Sequence, residues 1–283
     1  MATYIRNPVE WTLDQIKSAG MAIEALGQHT REAPLPAVRR ITASDLYGAL
    51  ARGIDDFIAL RTDVAFLCVV YPLVGLILAR LVFGYGLLPL LFPLASGFAL
   101  IGPVAAVGLY EMSRRREAGA EIGWADAFAA VRSPSFPAVL RFGLLLLAIF
   151  LVWLNVAIAI YNHTLGPAQP ASLAAFAHDL VATDRGWALI GVGIGVGFLF
   201  AVFVLAISVV SVPLLLDRNV RVTAAVRTSL RAVAVNPGPM ALWGFIVAAG
   251  LVIGSIPAFL GLIVVMPVLG HATWHLYRRV VAS

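Results

Sequence analysis

The sequence predicts an all-α polytopic membrane protein: six transmembrane helices in three hairpins, with amphipathic helices at the interface. Three observations carry this reading. The run Gly86–Tyr110 holds 25 residues without a charge and ends at Glu111, Arg114, Arg115 and Arg116. At ~1.5 Å per residue such a helix covers ~37 Å, enough for a ~30 Å hydrocarbon layer. Of the 20 lysines and arginines, 18 fall in segments on one side of the expected spans, leaving only Arg80 and Arg185. Cationic segments stay cytoplasmic, so both termini are expected inside. Hydrophobic residues make up 61% of the chain and charged ones 12%, against roughly 25% charged in soluble domains. A mean hydropathy of +0.93 agrees.

Residues 1–63 read as a cytoplasmic head. Leu13, Ile16, Ile23 and Leu26 recur at near-helical spacing, and Pro34 and Pro36 then break the chain. Thr42 or Ser44 can cap a second helix with Leu46, Leu50, Ile54 and Phe57 along one face. Glu10, Asp14 and Glu24 interrupt the first 30 residues, so no signal peptide is expected.

The membrane domain spans residues 64–277, followed by a cytoplasmic tail at 278–283. The first crossing is 64–83, where Arg80 near the outer end is expected to snorkel to the headgroups. The second is 86–110. Trp124, Phe128 and Val131 suggest a short surface helix after it. The third, 142–161, contains Asn155, expected to make a helix–helix hydrogen bond. Asn162-His163-Thr164 matches a glycosylation sequon, a match that arises often by chance. Leu173, Phe176 and Leu180 form another interfacial stripe, capped by Ser172.

The fourth crossing, 187–216, is 30 uncharged residues, or ~45 Å as helix. It must tilt, bend near Pro213 or protrude. Gly191, Gly193, Gly195 and Gly197 alternate along it. No strand precedes them, as nucleotide binding would need; the pairs Gly191/Gly195 and Gly193/Gly197 instead suggest close helix packing. Val222, Val226, Leu230 and Val233 then form an apolar stripe opposite Arg227 and Arg231. With Arg114, Arg115 and Arg116, these two arginines are expected to set topology and face anionic lipid. Residues 240–276 are too long for one crossing and read as a hairpin, 240–255 and 258–277, turning at Gly254-Ser255-Ile256-Pro257. A weak repeat of an inner-half proline, a charged exit and a return helix recurs around Pro103, Pro213 and Pro267.

Chemistry-bearing residues are few. Cys68 is the only cysteine, so neither an internal disulfide nor a thiolate metal cage forms. His271 and His275, at i and i+4, are the one pair with ligand spacing and remain weak metal candidates. A zinc site needs three or four ligands, and no cysteine or acid lies near them in sequence. They read more simply as interfacial anchors and packing residues. No metal, cofactor or catalytic residue is expected, and the arginines lie between spans rather than on a nucleic-acid face.

The stretches GFALIGPVAAVGLYEMSRRRE, SVPLLLDR, NPGPMALWG and PVLGHATWHLYRR resemble a prokaryotic integral membrane family, domain of unknown function 2189. The resemblance runs roughly from Pro36 to Val280. It implies a multi-pass protein of the prokaryotic inner membrane and carries no catalytic residue. Members bear a loose label of association with cytochrome c oxidase. A catalytic oxidase core needs more histidines, for two haems and a copper, than the five present, which also fall on both sides of the membrane. The expected function is therefore a non-enzymatic accessory, scaffold or assembly protein, with a respiratory complex as one candidate setting, whose partners are membrane lipids and other integral membrane proteins. The alternative is a transporter or channel for a lipid or small apolar solute.

Overall fold

A computed structural model describes residues 35–84 and 87–282, and those from Pro36 on belong to one compact unit. The expected amphipathic helix around residues 13–26 lies outside the described residues. Among the described residues the structure is helical, apart from one isolated antiparallel bridge between Val38 and Val281.

Helix α1 spans Ala43–Cys68. Thr42 precedes it, and Asp45, three residues on, accepts from the Thr42 amide and hydroxyl at 2.9 Å each, closing the exposed first turn. The buried face is Leu46, Ala49, Gly53, Asp56 and Leu60 rather than the expected Leu46, Leu50, Ile54 and Phe57. Small residues win that face because α11 (Leu262–Val280) crosses there. A Cβ on Gly53 would lie 2.6 Å from the Ala272 nitrogen, and one on Gly48 would meet the Arg279 guanidinium. These pairs, Gly48 beside Arg279 and Gly53 beside Ala272, make α1 and α11 antiparallel. The helix runs unbroken through residue 63, so the sequence boundary between head and membrane domain falls inside it.

After a turn at Val69, α2 (Val70–Gly84) continues the chain. A 3-10 turn at Leu88–Leu90 leads into α3 (Leu91–Ala105), and α4 (Val107–Glu117) follows a break at Ala106. A 3-10 segment, Trp124–Arg132, replaces the expected surface helix and exposes Phe128 and Val131.

Helix α5 (Phe136–Thr164) packs on α3 through Trp153, whose indole N–H donates to Ser96 Oγ at 2.9 Å. The sequon at 162–164 is its last turn. Helix α6 (Leu173–Ala182) is capped by Ser172 as expected, with Ala175 N donating to Ser172 Oγ at 3.1 Å.

The 30-residue apolar run divides into α7 (Asp184–Ser208) and α8 (Ser211–Asp217). The break at Val209–Val210 sits just before Pro213, whose ring would clash with the carbonyl four residues back in a continuous helix. The proposed repeat is not structurally equivalent at its three prolines. Pro103 precedes its break, Pro213 follows one, and Pro267 lies inside an unbroken α11.

Helix α9 (Val222–Val235) buries Ala225, Thr228, Ser229 and Ala232, not the valine stripe. Hydroxyls do so without penalty because Thr228 donates to the Ala224 carbonyl at 2.8 Å and Ser229 to the Ala206 carbonyl at 2.8 Å. Leu230 stays exposed, and Arg227 and Arg231 occupy a further exposed side. Asn236 closes the helix and accepts from Ile41 N at 2.8 Å, tying the start of the unit to α9. Helix α10 (Pro237–Ser255) reaches α11 through a turn in which Ala258 and Phe259 take positive φ.

Among the described residues, three helical segments are long and apolar enough to cross a membrane: Phe136–Thr164, Asp184–Asp217 and Pro237–Ser255. The other expected crossings are divided or polar. Breaks at Val69 and Ala106 shorten two of them, and the end of α11 carries His271, His275, Arg278 and Arg279. The three long segments expose large apolar side chains, among them Leu144, Val152, Ile194, Leu199, Phe245 and Val252. The protein's buried core joins α1, α4, α8, α9 and α11 with the inner sides of the long helices, among them Phe142, Leu146 and Trp153 of α5.

Candidate functional site

One carboxylate organises the polar interior. Asp56 sits on the α1 face that Gly53 brings against α11, and α4 supplies Ser113 and Arg116 from the other side. Ser113 donates its hydroxyl to Asp56 Oδ2 at 2.6 Å, and His275 Nε2 lies 2.9 Å from the same oxygen. Arg116 holds Oδ1 through a close Nη1 contact. His271 Nδ1 lies 2.8 Å from Ser113 Oγ. Since Ser113 gives its only proton to Asp56, its oxygen accepts from His271 Nδ1–H, and that histidine's Nε2 is left as the acceptor nitrogen. This Nε2 is buried with no hydrogen-bond partner among the described residues, while the whole residue is 0% exposed.

Burial works against the Asp56 charge, but the hydrogen bonds from His275 and Ser113 outweigh it and hold the carboxyl at about 2. Glu111, also buried, behaves alike. Desolvation opposes its ionisation, yet Arg114 at 2.8 Å and Arg115 at 2.7 Å keep its carboxyl below the usual range. Arg115 reaches on to Asp126 at 2.6 Å. Around the same end of the protein, Tyr277 donates to Asp217 at 2.6 Å and Arg279 pairs with Asp45 at 2.7 Å. Glu117 accepts from Trp274 Nε1 and Arg278 Nε, each at 3.1 Å.

Beside the cluster lies a cleft of about 310 Å³, lined by Arg52, Asp55, Asp56, Ser113, Arg116, Glu117 and His275. The arrangement does not resemble an activated nucleophile. Ser113 is fully buried and spends its proton on the carboxylate, whereas a nucleophilic serine gives it to a histidine base. Among the described residues no group of three or more His, Cys, Asp or Glu is placed to hold a metal ion.

The sequence-derived candidates fare unequally. His271 and His275 do come together, and both are buried among protein side chains, as packing residues are. Their hydrogen-bond partners, Asp56 and Ser113, were missed because 219 residues separate Asp56 from His275 and 158 separate Ser113 from His271. A signal was present: Asp56 recurs seven residues after Ala49 on the small-residue face of α1. Arg114, Arg115 and Arg116 point their charge into ion pairs rather than simply facing lipid. Arg227 and Arg231 remain exposed.

The glycine expectation is corrected as well. Gly191, Gly193 and Gly195 face open space, with nothing near an added Cβ; only Gly197 meets a neighbour, the Trp153 ring at 3.2 Å. Helix α7 meets α5 farther along, where Gly197 and Phe200 reach Trp153. Asn155 is also exposed, and its amide donates back to the Leu151 carbonyl of its own helix at 2.7 Å rather than across to another.

A family model described as "Predicted integral membrane protein (DUF2189)" matches residues 91–217, just under half of the chain. The matched segment contains Ser113 and Arg116 but not Asp56, His271 or His275. No curated protein and no solved structure matches the chain. The family match and the three long apolar segments agree on an integral membrane protein whose function is not established.

Proposed function

We propose that this chain is a non-catalytic accessory or scaffold protein of the prokaryotic inner membrane. In this reading it crosses six times with both termini cytoplasmic and binds another integral membrane protein through the outer face of α5. The observation that carries it is Asn155. This amide lies inside the apolar run of α5, on its exposed side, and satisfies only one donor within its own helix. Facing hydrocarbon, its remaining polar atoms cost free energy; against a partner helix they form the interhelical bond that such amides favour.

Ion-coupled transport draws no support from the same helices. Trp187–Leu216 and Pro237–Ser255 hold no charged residue, and α5 carries Arg141 and His163 only toward its ends. The charged residues instead close ion pairs among α1, α4, α8 and α11, which suits a rigid frame.

Purification from native membranes followed by mass spectrometry of co-eluting proteins tests the reading. A membrane partner retained by the native chain and lost with Asn155→Leu is the expected result, and a respiratory oxidase is one identity it can take. A lone protein that moves lipid or solute across vesicles would replace it with the transport reading.

A further inference from the structure

We propose that the cleft beside Asp56 binds a phosphate ester bearing a primary amine, the chemistry of a phosphoethanolamine headgroup. Its lining has opposite charges that the protein leaves partly unspent. Arg52 and Asp55 share one side of α1, both exposed, and among the described residues neither has a side-chain partner. Arg116 gives Nη1 to Asp56 and remains partly exposed at the cleft. A simple anion entering here would meet Asp55 and Glu117. A simple cation would meet Arg52 and Arg116. A zwitterion satisfies both, its phosphate taking guanidinium donors and its ammonium the carboxylates. At about 310 Å³ the space is at the lower end of the range for small-ligand sites, roughly 300–1,000 Å³, and suits a headgroup.

Exposed apolar side chains lie on α1 and α2. Ile54 and Ile58 are exposed on α1, and Leu73, Leu76 and Ile77 are exposed on α2, which continues the same stretch of chain. A polar cleft on a helix that also exposes apolar side chains is a surface that an amphiphile can use. A lipid is one source of the headgroup; a water-soluble ester of the same chemistry is the other. The inference does not depend on the protein partner proposed above.

The test uses the full chain purified in detergent, with retained lipid read by native mass spectrometry. Probes are phosphatidylethanolamine, phosphatidylglycerol and phosphatidylcholine with identical acyl chains, and soluble glycerophosphoethanolamine. Phosphatidylethanolamine is expected to bind about tenfold more tightly than the two lipids lacking N–H donors on an amine. Arg52→Ala and Asp55→Ala should each remove about that tenfold preference, with lipid-free unfolding temperature unchanged because both side chains are exposed. If soluble glycerophosphoethanolamine binds as well as the lipid, the cleft belongs to a soluble ester of the same chemistry. Equal retention of all three lipids, or a preference unchanged in both variants, overturns the proposal. Asn155→Leu should leave the preference intact.

Discussion

Gly53 packs directly onto Ala272, and this contact brings Asp56 of α1 within reach of His275 on α11. A Cβ at Gly53 would sit 2.6 Å from the Ala272 nitrogen and 2.8 Å from its Cα. Those are backbone atoms, which cannot rotate away. Gly53→Val is therefore expected to destabilise the protein by about 1–3 kcal/mol or more, as overpacking does. Gly191→Val, where an added Cβ meets nothing, should lower the detergent melting temperature far less. Equal losses in a thermal-unfolding comparison would mean that α1 and α11 do not pack as described.

Asp56 should be the costliest carboxylate to remove. Asp56→Ala strands the Ser113 hydroxyl, the His275 N–H and the Arg116 guanidinium at once. Leaving buried partners unsatisfied costs about 2–4 kcal/mol here, against about 0.5 or less for exposed Arg227→Gln. Asp56 also predicts an acid limb. Its carboxyl titrates at about 2 in the fold rather than at the ordinary 3.8. A depressed value gives stability that is complete above the ordinary value and fades as pH falls from about 4 toward 2. The gap corresponds to on the order of 2 kcal/mol. Unfolding followed in detergent from pH 2 to 7 should show a shallower acid limb in Asp56→Asn; an unchanged limb would remove Asp56 from this role.

How far the sequence reveals these features depends on the range over which each is encoded. Helical class, the Ser172 cap and, of the options for the long run, a break near Pro213 follow from neighbours a few residues apart and are found, while the turn expected at Gly254–Pro257 lies slightly later, at 256–261. The buried faces are not local properties. The expected stripes gave way to faces carrying Ala49 and Gly53 on α1 and Ala225, Thr228, Ser229 and Ala232 on α9, because a close helix crossing rewards small side chains. The same reason misplaces the glycine contact. Gly250 and Gly254, not Gly191 and Gly195, meet a neighbour within the chain: added Cβ atoms there would lie 3.2 and 2.8 Å from side chains of α11. Both pairs have the same spacing, and nothing in one segment tells which has a partner. The Asp56 cluster was hidden for a further reason, since its members come from three helices far apart in sequence.

Sidedness can be measured directly. In a Cys68→Ala background, Gly119→Cys in the turn after α4 and Thr223→Cys in α9 are expected to resist membrane-impermeant thiol reagents in intact cells. Ala168→Cys, between α5 and α6, should react. The expectation rests on 18 of 20 cations falling on one side of the six expected spans. Labelling of Thr223→Cys from outside would end the six-crossing arrangement.

His271 and His275 give the last prediction. A bis-histidine haem needs its two ligands on opposite faces of the ring, whereas these residues are i and i+4 on one helix and share a face. Both are already engaged. His275 Nε2 faces Asp56 at 2.9 Å, and His271 Nδ1 faces Ser113 at 2.8 Å. The one nitrogen left over, His271 Nε2, is enclosed by protein on every side. Binding iron or zinc there would require the carboxylate cluster to open. The purified chain is therefore expected to show no Soret band and no stoichiometric zinc, copper or iron. The structural role predicts instead that His275→Ala costs about 1–3 kcal/mol by taking a donor from a buried carboxylate. His275→Gln, which can still donate an N–H, should recover part of that loss. A Soret band that disappears in His271→Ala would contradict both statements and make the protein a redox component.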